Sequence, residues 1–270
     1  MKRLTLWISL VLVGFVVALA ILALVWTPHD PSSVTFQRLL PPGGAHLLGT
    51  DGMGHDIASR IMVGAKMCLL VGVVAVAIAA GIGVPLGVLA GMTQRWWLRE
   101  LILRTADVLY AFPALLLAIL LAAAVGGSTW TAMAAVGVAT IPAFVRIARA
   151  GTLQVMSQDY IPAARVSGTP TPVIAVRHVL PNVAALIGVQ ASVSFSIAIL
   201  AEAGLSYLGL GTPATTPTWG RMLRDAQNQI FNDPVQAFWP GLAIAVAVLG
   251  FNLLGDALRD YLDPKLREVS

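Results

Sequence analysis

An all-α polytopic membrane protein is what this chain encodes, and three features of its 270 residues say so. Apolar side chains make up 57% of it and charged ones only 11%, against about 25% charged in a typical soluble domain. The apolar residues fall in runs of about 20, the length that crosses roughly 30 Å of hydrocarbon as helix. Glycine and proline occur inside the runs, as in GIGVPLG, AFPALL and TIPAF, where neighbouring helices or a cavity can satisfy the freed backbone groups. Such spans belong in a bundle.

In chain order the runs lie near residues 7–26, 67–92, 105–126, 128–147, 183–205 and 237–256, which predicts about six transmembrane helices. The first begins after Lys2 and Arg3, and Ala18-Leu19-Ala20 resembles a signal cleavage site. Its apolar run continues to Trp26, longer than a usual signal core, so an uncleaved span is expected. Residues 1–66 then form the first span and an outer loop, residues 67–260 the membrane core with a polar loop at 148–182, and residues 261–270 a tail. None of the polar segments has the roughly 50 residues of an independent domain.

Orientation follows from Lys and Arg. With the N-terminus inside, Lys2, Arg3, Arg95, Arg99, Arg104, Arg146, Arg149, Arg165, Arg177, Arg259, Lys265 and Arg267 fall on the cytoplasmic side. Arg38, Arg60, Lys66, Arg221 and Arg224 fall outside. Twelve against five places both termini in the cytoplasm, and the basic pI of 9.6 reflects this asymmetry and lipid contact rather than nucleic-acid binding. Cys68, the lone cysteine, excludes a disulfide framework or a cysteine-based metal site within the chain.

The polar loop at 148–182 is the most informative stretch. SQDYIPAARVSGTPTPVIAVRHVLPN, residues 157–182, reads as two short helices joined by a turn. Pro162 fits a first helical turn, where a missing N–H costs little. Ala163 to Ser167 continue the helix, and Gly168 suits the left-handed position that ends it. The run Thr169-Pro170-Thr171-Pro172 blocks continuation, and a second helix from Val173 to Leu180 is expected to stop at Pro181. Read locally, the pair is either a hairpin that only shapes the loop or a functional element.

The pattern Ala163-Ala164 with Gly168, followed by Leu180-Pro181, resembles the EAA loop of permease subunits in binding-protein-dependent ABC importers. More narrowly, the chain is similar to the C-type permease of the dipeptide, oligopeptide and nickel importers. Four further stretches carry that likeness: HLLGTDGMGHDIASR at 46–60, DVLYAFPALLLA at 107–118, LAEAGLSYLGLG at 200–211 and FNLLGDALRDYLDPKLR at 251–267.

The resemblance implies a type I ABC importer permease fold in a bacterial inner membrane. It implies a coupling loop for cytosolic ATPases at Asp159, Tyr160, Pro162, Ala163, Ala164, Arg165, Gly168, Leu180 and Pro181. Partners would be a homologous B-type permease, two ABC ATPases or one fused ATPase, and an extracytoplasmic substrate-binding protein. The cargo implied is short peptides, with nickel chelates, glutathione or heme as alternatives. Where this chain has Pro162 the family usually has an acidic residue, which removes one docking charge that Asp159 can partly replace.

No G-x-x-x-x-G-K-[ST] occurs, so ATP is expected to be used by partner subunits, with no cofactor held by this chain. H-E-x-x-H and G-x-S-x-G are also absent, which speaks against a membrane enzyme. A secondary transporter would want a coupled acid deep in the membrane, for which Glu202 alone is thin support. His29, His46, His55 and His178 form no compact pair at metal-ligand spacing, and structural roles with no metal site are expected.

Within the spans, Glu202 is costly unless hydrated or paired and so should face a cavity or a partner helix. Gln190 and Ser194, like Ser192 and Ser196, are four apart and share helix faces that can line a polar path or bond their own backbone. Asp56 is placed to cap a helix from Ile57 to Lys66. Asp107 with Arg104, and Asp256 with Arg259, have the spacing of local ion pairs.

Overall fold

The computed structural model describes residues 2–34, 37–213, 215–231 and 233–262. Most of the tail at 261–270 and the end of the 251–267 motif therefore lie outside the described residues. The described residues form the helices α1 (Lys2–Val25), α2 (Ile57–Met92), α3 (Trp96–Ala111), α4 (Ala114–Val125), α5 (Thr129–Met156), α6 (Tyr160–Val166), α7 (Thr171–Ile174), α8 (Leu180–Leu208), α9 (Trp219–Gln227) and α10 (Val235–Leu262), joined mostly by irregular loops.

Among the described residues five helices are long and apolar enough to cross a membrane, and a sixth crossing is counted if α3 and α4 are one broken span. The expected straight span at 105–126 is corrected here, because α3 and α4 meet at 89°. Pro113 supplies no N–H to continue α3, and it forces Phe112 into extended backbone (φ −87°, ψ 133°). Pro85, Pro142 and Pro240 instead sit inside continuous helices. The expected division between a capped helix at 57–66 and a span from residue 67 also disappears, since α2 runs 36 residues without interruption.

Helix α2 lies along α5, and small residues set how closely they approach. A Cβ added at Gly87 would come within 2.6 Å of the Val145 carbonyl oxygen and 2.7 Å of Ala148 Cβ. One at Gly83 would meet Phe144 Cβ at 2.6 Å, and one at Gly91 would meet Thr152 at 2.6 Å. Spaced four apart, these glycines bring backbone against backbone, the packing by which helices associate without a hydrophobic drive between them. Phe144, Val145, Ile161, Ile174, Val179 and Val183 fill the core beneath this contact and tie the loop at 148–182 to the bundle. Helix α1 packs on α10 and leaves Leu4, Trp7, Val11 and Phe15 exposed, a face suited to lipid.

Candidate functional site

The break between α3 and α4 opens a cleft of about 460 Å³. Tyr110, Phe112 and Pro113 form one wall, Thr140 of α5 the floor, and Gln190 and Ser194 of α8 the opposite wall. Non-helical backbone at membrane depth is tolerated where it lines such a cavity. Tyr110 is held in place by Arg146, whose guanidinium lies 4.0 Å from the ring centroid and donates a 2.7 Å bond to Asp107. Asp107 thus pairs across helices with Arg146, a correction to the local pair expected with Arg104, which bonds Glu100 at 3.3 Å instead.

Gln190 Nε2 donates to Ser194 Oγ at 3.0 Å, a bond within α8 between two residues that line the cleft. Ser196 Oγ donates to the Val248 carbonyl at 3.2 Å and joins α8 to α10 rather than lining the cleft. Glu202 lies apart from the cleft at 3% exposure. Its carboxyl accepts a 2.6 Å bond from Ser206 and another from Thr218, the residue that caps α9. The partner-helix alternative for this acid is the one the geometry favours.

At the far end of α8 the polar loop forms a first short helix, α6, where one was expected, while the second, expected from Val173 to Leu180, is the shorter α7 at Thr171–Ile174. Gly168 has φ +79°, and its amide bonds the Arg165 carbonyl at 3.0 Å while the Thr169 amide bonds the Ala164 carbonyl at 3.0 Å, closing α6. Asp159 stands before α6 without capping it through its side chain, and Pro162 falls in the first turn. Ile161 and Ile174 are fully buried roots, whereas Val166 is 90% exposed and Tyr160, Ala163, Ala164 and Arg165 lie on the outer part of the hairpin.

The expected stop at Pro181 is corrected. A π-turn at 175–179 joins α7 to α8, with the Leu180 amide bonded to the Ala175 carbonyl. The wider turn shifts the hydrogen-bond register so that the proline causes no break, and the Asn182 side chain donates to the His178 carbonyl at 2.7 Å. Residues Thr171–Leu208 are therefore one helical rod that passes Leu180, Pro181, Gln190 and Ser194 in turn.

The stretch at 46–60 makes a clasp where α2 begins. Asp56 caps α2, its Oδ2 accepting from the Ser59 amide at 2.8 Å and hydroxyl at 2.7 Å. Asp51 accepts from the amides of Met53 and His55 at 2.9 Å each and from Arg60, which also reaches Asp225 of α9 at 3.5 Å. Burial alone would raise the Asp51 carboxyl; the His55 amide, Arg60 and the Met53 amide outweigh it and hold it below the usual value. The same opposition, with the Ser59 amide, His46 and the Ser59 hydroxyl as donors, lowers Asp56. Trp219 of α9 completes the clasp by donating to the Ile61 carbonyl at 3.0 Å over Gly64.

Sequence spacing had separated the histidines, and the fold does not. His29 and His46 come together with ring centroids 4.5 Å apart, both beside Asp56. Nothing local announces this, because the meeting depends on the loop after α1 folding back over the start of α2.

Comparison with known proteins agrees with this architecture. Residues 83–268 match the family described as "Binding-protein-dependent transport system inner membrane component". The chain is 39% identical over 261 residues to the dipeptide transport system permease protein DppC of Alkalihalophilus pseudofirmus, covering 96% of this chain and 86% of that one. It is 42% identical over 253 residues to the glutathione transport system permease protein GsiD of Pectobacterium atrosepticum, covering 93% and 84%. A chain of the MetNI methionine ABC transporter, solved in inward facing conformations, shares the fold with a TM-score of 0.61 at 17% identity, over 78% of this chain and 96% of that one. With its broken third span, capped loop hairpin and these relatives, the chain belongs to the inner-membrane permeases of binding-protein-dependent ABC importers, among those of the peptide transport group.

Proposed function

We propose that this permease forms half of a translocation path for short peptides, the other half being a homologous but different permease chain. Cytosolic ATPases dock on the hairpin at α6 and α7, and an extracytoplasmic binding protein delivers cargo at the opposite end, with both termini in the cytoplasm. The observation that carries this reading is the rod Thr171–Leu208: a capped, exposed hairpin is continuous with the wall of the cleft. A push at Ala163 and Ala164 crosses the Gly168 turn to α7, and from there the continuous helix carries it through the π-turn to Gln190 and Ser194. Glutathione, itself a tripeptide, is the second cargo, favoured by the 42% identity to a glutathione permease.

The test is reconstitution with a homologous partner permease, ATPases and binding protein from the same organism. Ala164→Trp should leave the chain in the membrane while abolishing ATPase co-purification and uptake. Labelled dipeptide and glutathione, each competed against the other, then identify the cargo. Wild-type ATPase binding and uptake in Ala164→Trp would refute the coupling role, and uptake of neither solute would refute the peptide assignment.

A further inference from the structure

We propose that His29, His46 and Asp56 form a binding site for a zinc-class divalent transition-metal ion, clasping the segment after α1 to the start of α2. One donor atom from each residue lies within 4.8 Å of the others. Asp56 Oδ1 is 2.9 Å from His46 Nδ1 and 3.6 Å from His29 Nδ1. With metal bonds of 2.0–2.1 Å, neighbouring ligand atoms in a tetrahedral site stand about 3.3 Å apart, so the two distances bracket what an ion requires.

The division of labour on Asp56 supports the assignment. Its Oδ2 is occupied by the two Ser59 donors that cap α2, leaving Oδ1 directed at both imidazoles. His29 Nδ1 is buried and has no hydrogen-bond partner, an arrangement that costs free energy in a purely structural role and none if the atom is a ligand. Hydrogen bonds also hold each ligand in place, with Ser59 anchoring both His29 and Asp56. The His29 amide donates to Ser59 Oγ at 2.9 Å, and the His29 carbonyl accepts from Thr27 at 2.8 Å. The His46 amide and carbonyl pair with Gly43 at 3.0 Å each. His46 and Asp56 are buried, while the His29 side chain is 35% exposed, which leaves a solvent side from which an ion enters and a water completes the shell.

Two imidazoles and one carboxylate select borderline transition ions over magnesium or calcium, which prefer all-oxygen shells. A bound ion would add a bond among three points already joined by hydrogen bonds and packing: the exit of α1, the loop at residue 46 and the first residue before α2. The competing account is that His46 simply donates to Asp56 and His29 stacks on His46; it requires no ion.

The full-length chain, carrying no polyhistidine tag, is purified in detergent, stripped with EDTA, incubated with zinc and desalted before metal analysis. Wild type should retain about one zinc per chain, with a thermal transition higher than that of the stripped form. His29→Ala should lose the ion and the thermal increase while keeping wild-type helicity, because His29 Nδ1 has no hydrogen bond to lose. His46→Gln should lose the ion as well, and Cys68→Ser should keep it, since Cys68 is buried in the apolar core. Cobalt in place of zinc should give the visible absorption of a tetrahedral nitrogen and oxygen site in wild type and not in His29→Ala. Failure of the wild type to retain zinc, or full retention by His29→Ala, overturns the proposal.

Discussion

Gln190 and Ser194 are bonded to one another at 3.0 Å across one turn of α8, and both face the cleft that opens where α3 gives way to α4. The bond joins two polar side chains on the face of α8 that lines the cleft. Ser194→Leu should therefore fill the cleft and abolish uptake while the chain still assembles with its partners. Ser194→Ala removes only a hydroxyl and should cost about 1 kcal/mol of stability with uptake reduced far less. Uptake assays beside co-purification separate the two effects, and unimpaired uptake in Ser194→Leu would remove the cleft from the path.

Glu202 gives the opposite expectation. Its carboxyl is enclosed between Ser206 and the cap of α9 and does not reach the cleft. Glu202→Gln keeps an acceptor for both hydroxyls, so assembly and uptake should persist. Glu202→Ala strands two buried hydroxyls and should lower stability by about 1–3 kcal/mol, seen as a lower thermal transition. A selective loss of uptake in Glu202→Gln with normal melting would instead put the charge on the transport path.

Acid should loosen the clasp at the start of α2. Asp51 and Asp56 are both held below the ordinary carboxyl value of 3.8. A carboxyl lowered in this way adds stability that is complete above the unfolded value and lost as pH falls through the folded one. Melting of the wild type should therefore be independent of pH, as far as these groups are concerned, around neutrality, and fall steeply below about pH 4. Asp51→Asn leaves Arg60 without its main partner and should cost roughly 3 kcal/mol at neutral pH, with a shallower acid slope. Parallel acid slopes for variant and wild type would show that Asp51 does not supply the dependence.

How far these sites could be read in advance depended on whether their cause was local. The left-handed close at Gly168 and the cap at Asp56 follow from single residues and their immediate neighbours, and both appear where the sequence puts them. Proline was ambiguous for a physical reason. Pro85 and Pro142 are absorbed within continuous helices, Pro113 breaks its span, and Pro181 is carried by a π-turn, three ways of accommodating the same missing N–H. The cleft was foreshadowed only by Gln190 and Ser194, because its other wall depends on the bend. Glu202 was singled out for its cost in an apolar helix, but its partner Thr218 lies across a loop that periodicity cannot describe. The approach of His29 to His46 is likewise tertiary.

The hairpin offers the most discriminating substitutions. Gly168 has φ +79° and nothing within 4 Å of an added Cβ, so a side chain there meets backbone strain and no steric obstacle. Gly168→Asn should be nearly neutral, because asparagine tolerates the left-handed region, whereas Gly168→Val should cost roughly 1–2 kcal/mol and misdirect α6. Since the rod from Thr171 to Leu208 begins three residues later, the misdirection should appear as weaker ATPase binding and reduced stimulation of ATP hydrolysis by loaded binding protein. Pro162→Glu acts in the other direction. It places a negative charge in the first turn of α6, where the helix dipole favours it by about 0.3–1 kcal/mol, and should leave docking unchanged or stronger. ATPase activity of the reconstituted complex, with and without binding protein, ranks the variants. The order expected is Pro162→Glu at or above wild type, then Gly168→Asn, then Gly168→Val, and equal activity for the two Gly168 variants would mean that the geometry of this turn plays no part in coupling.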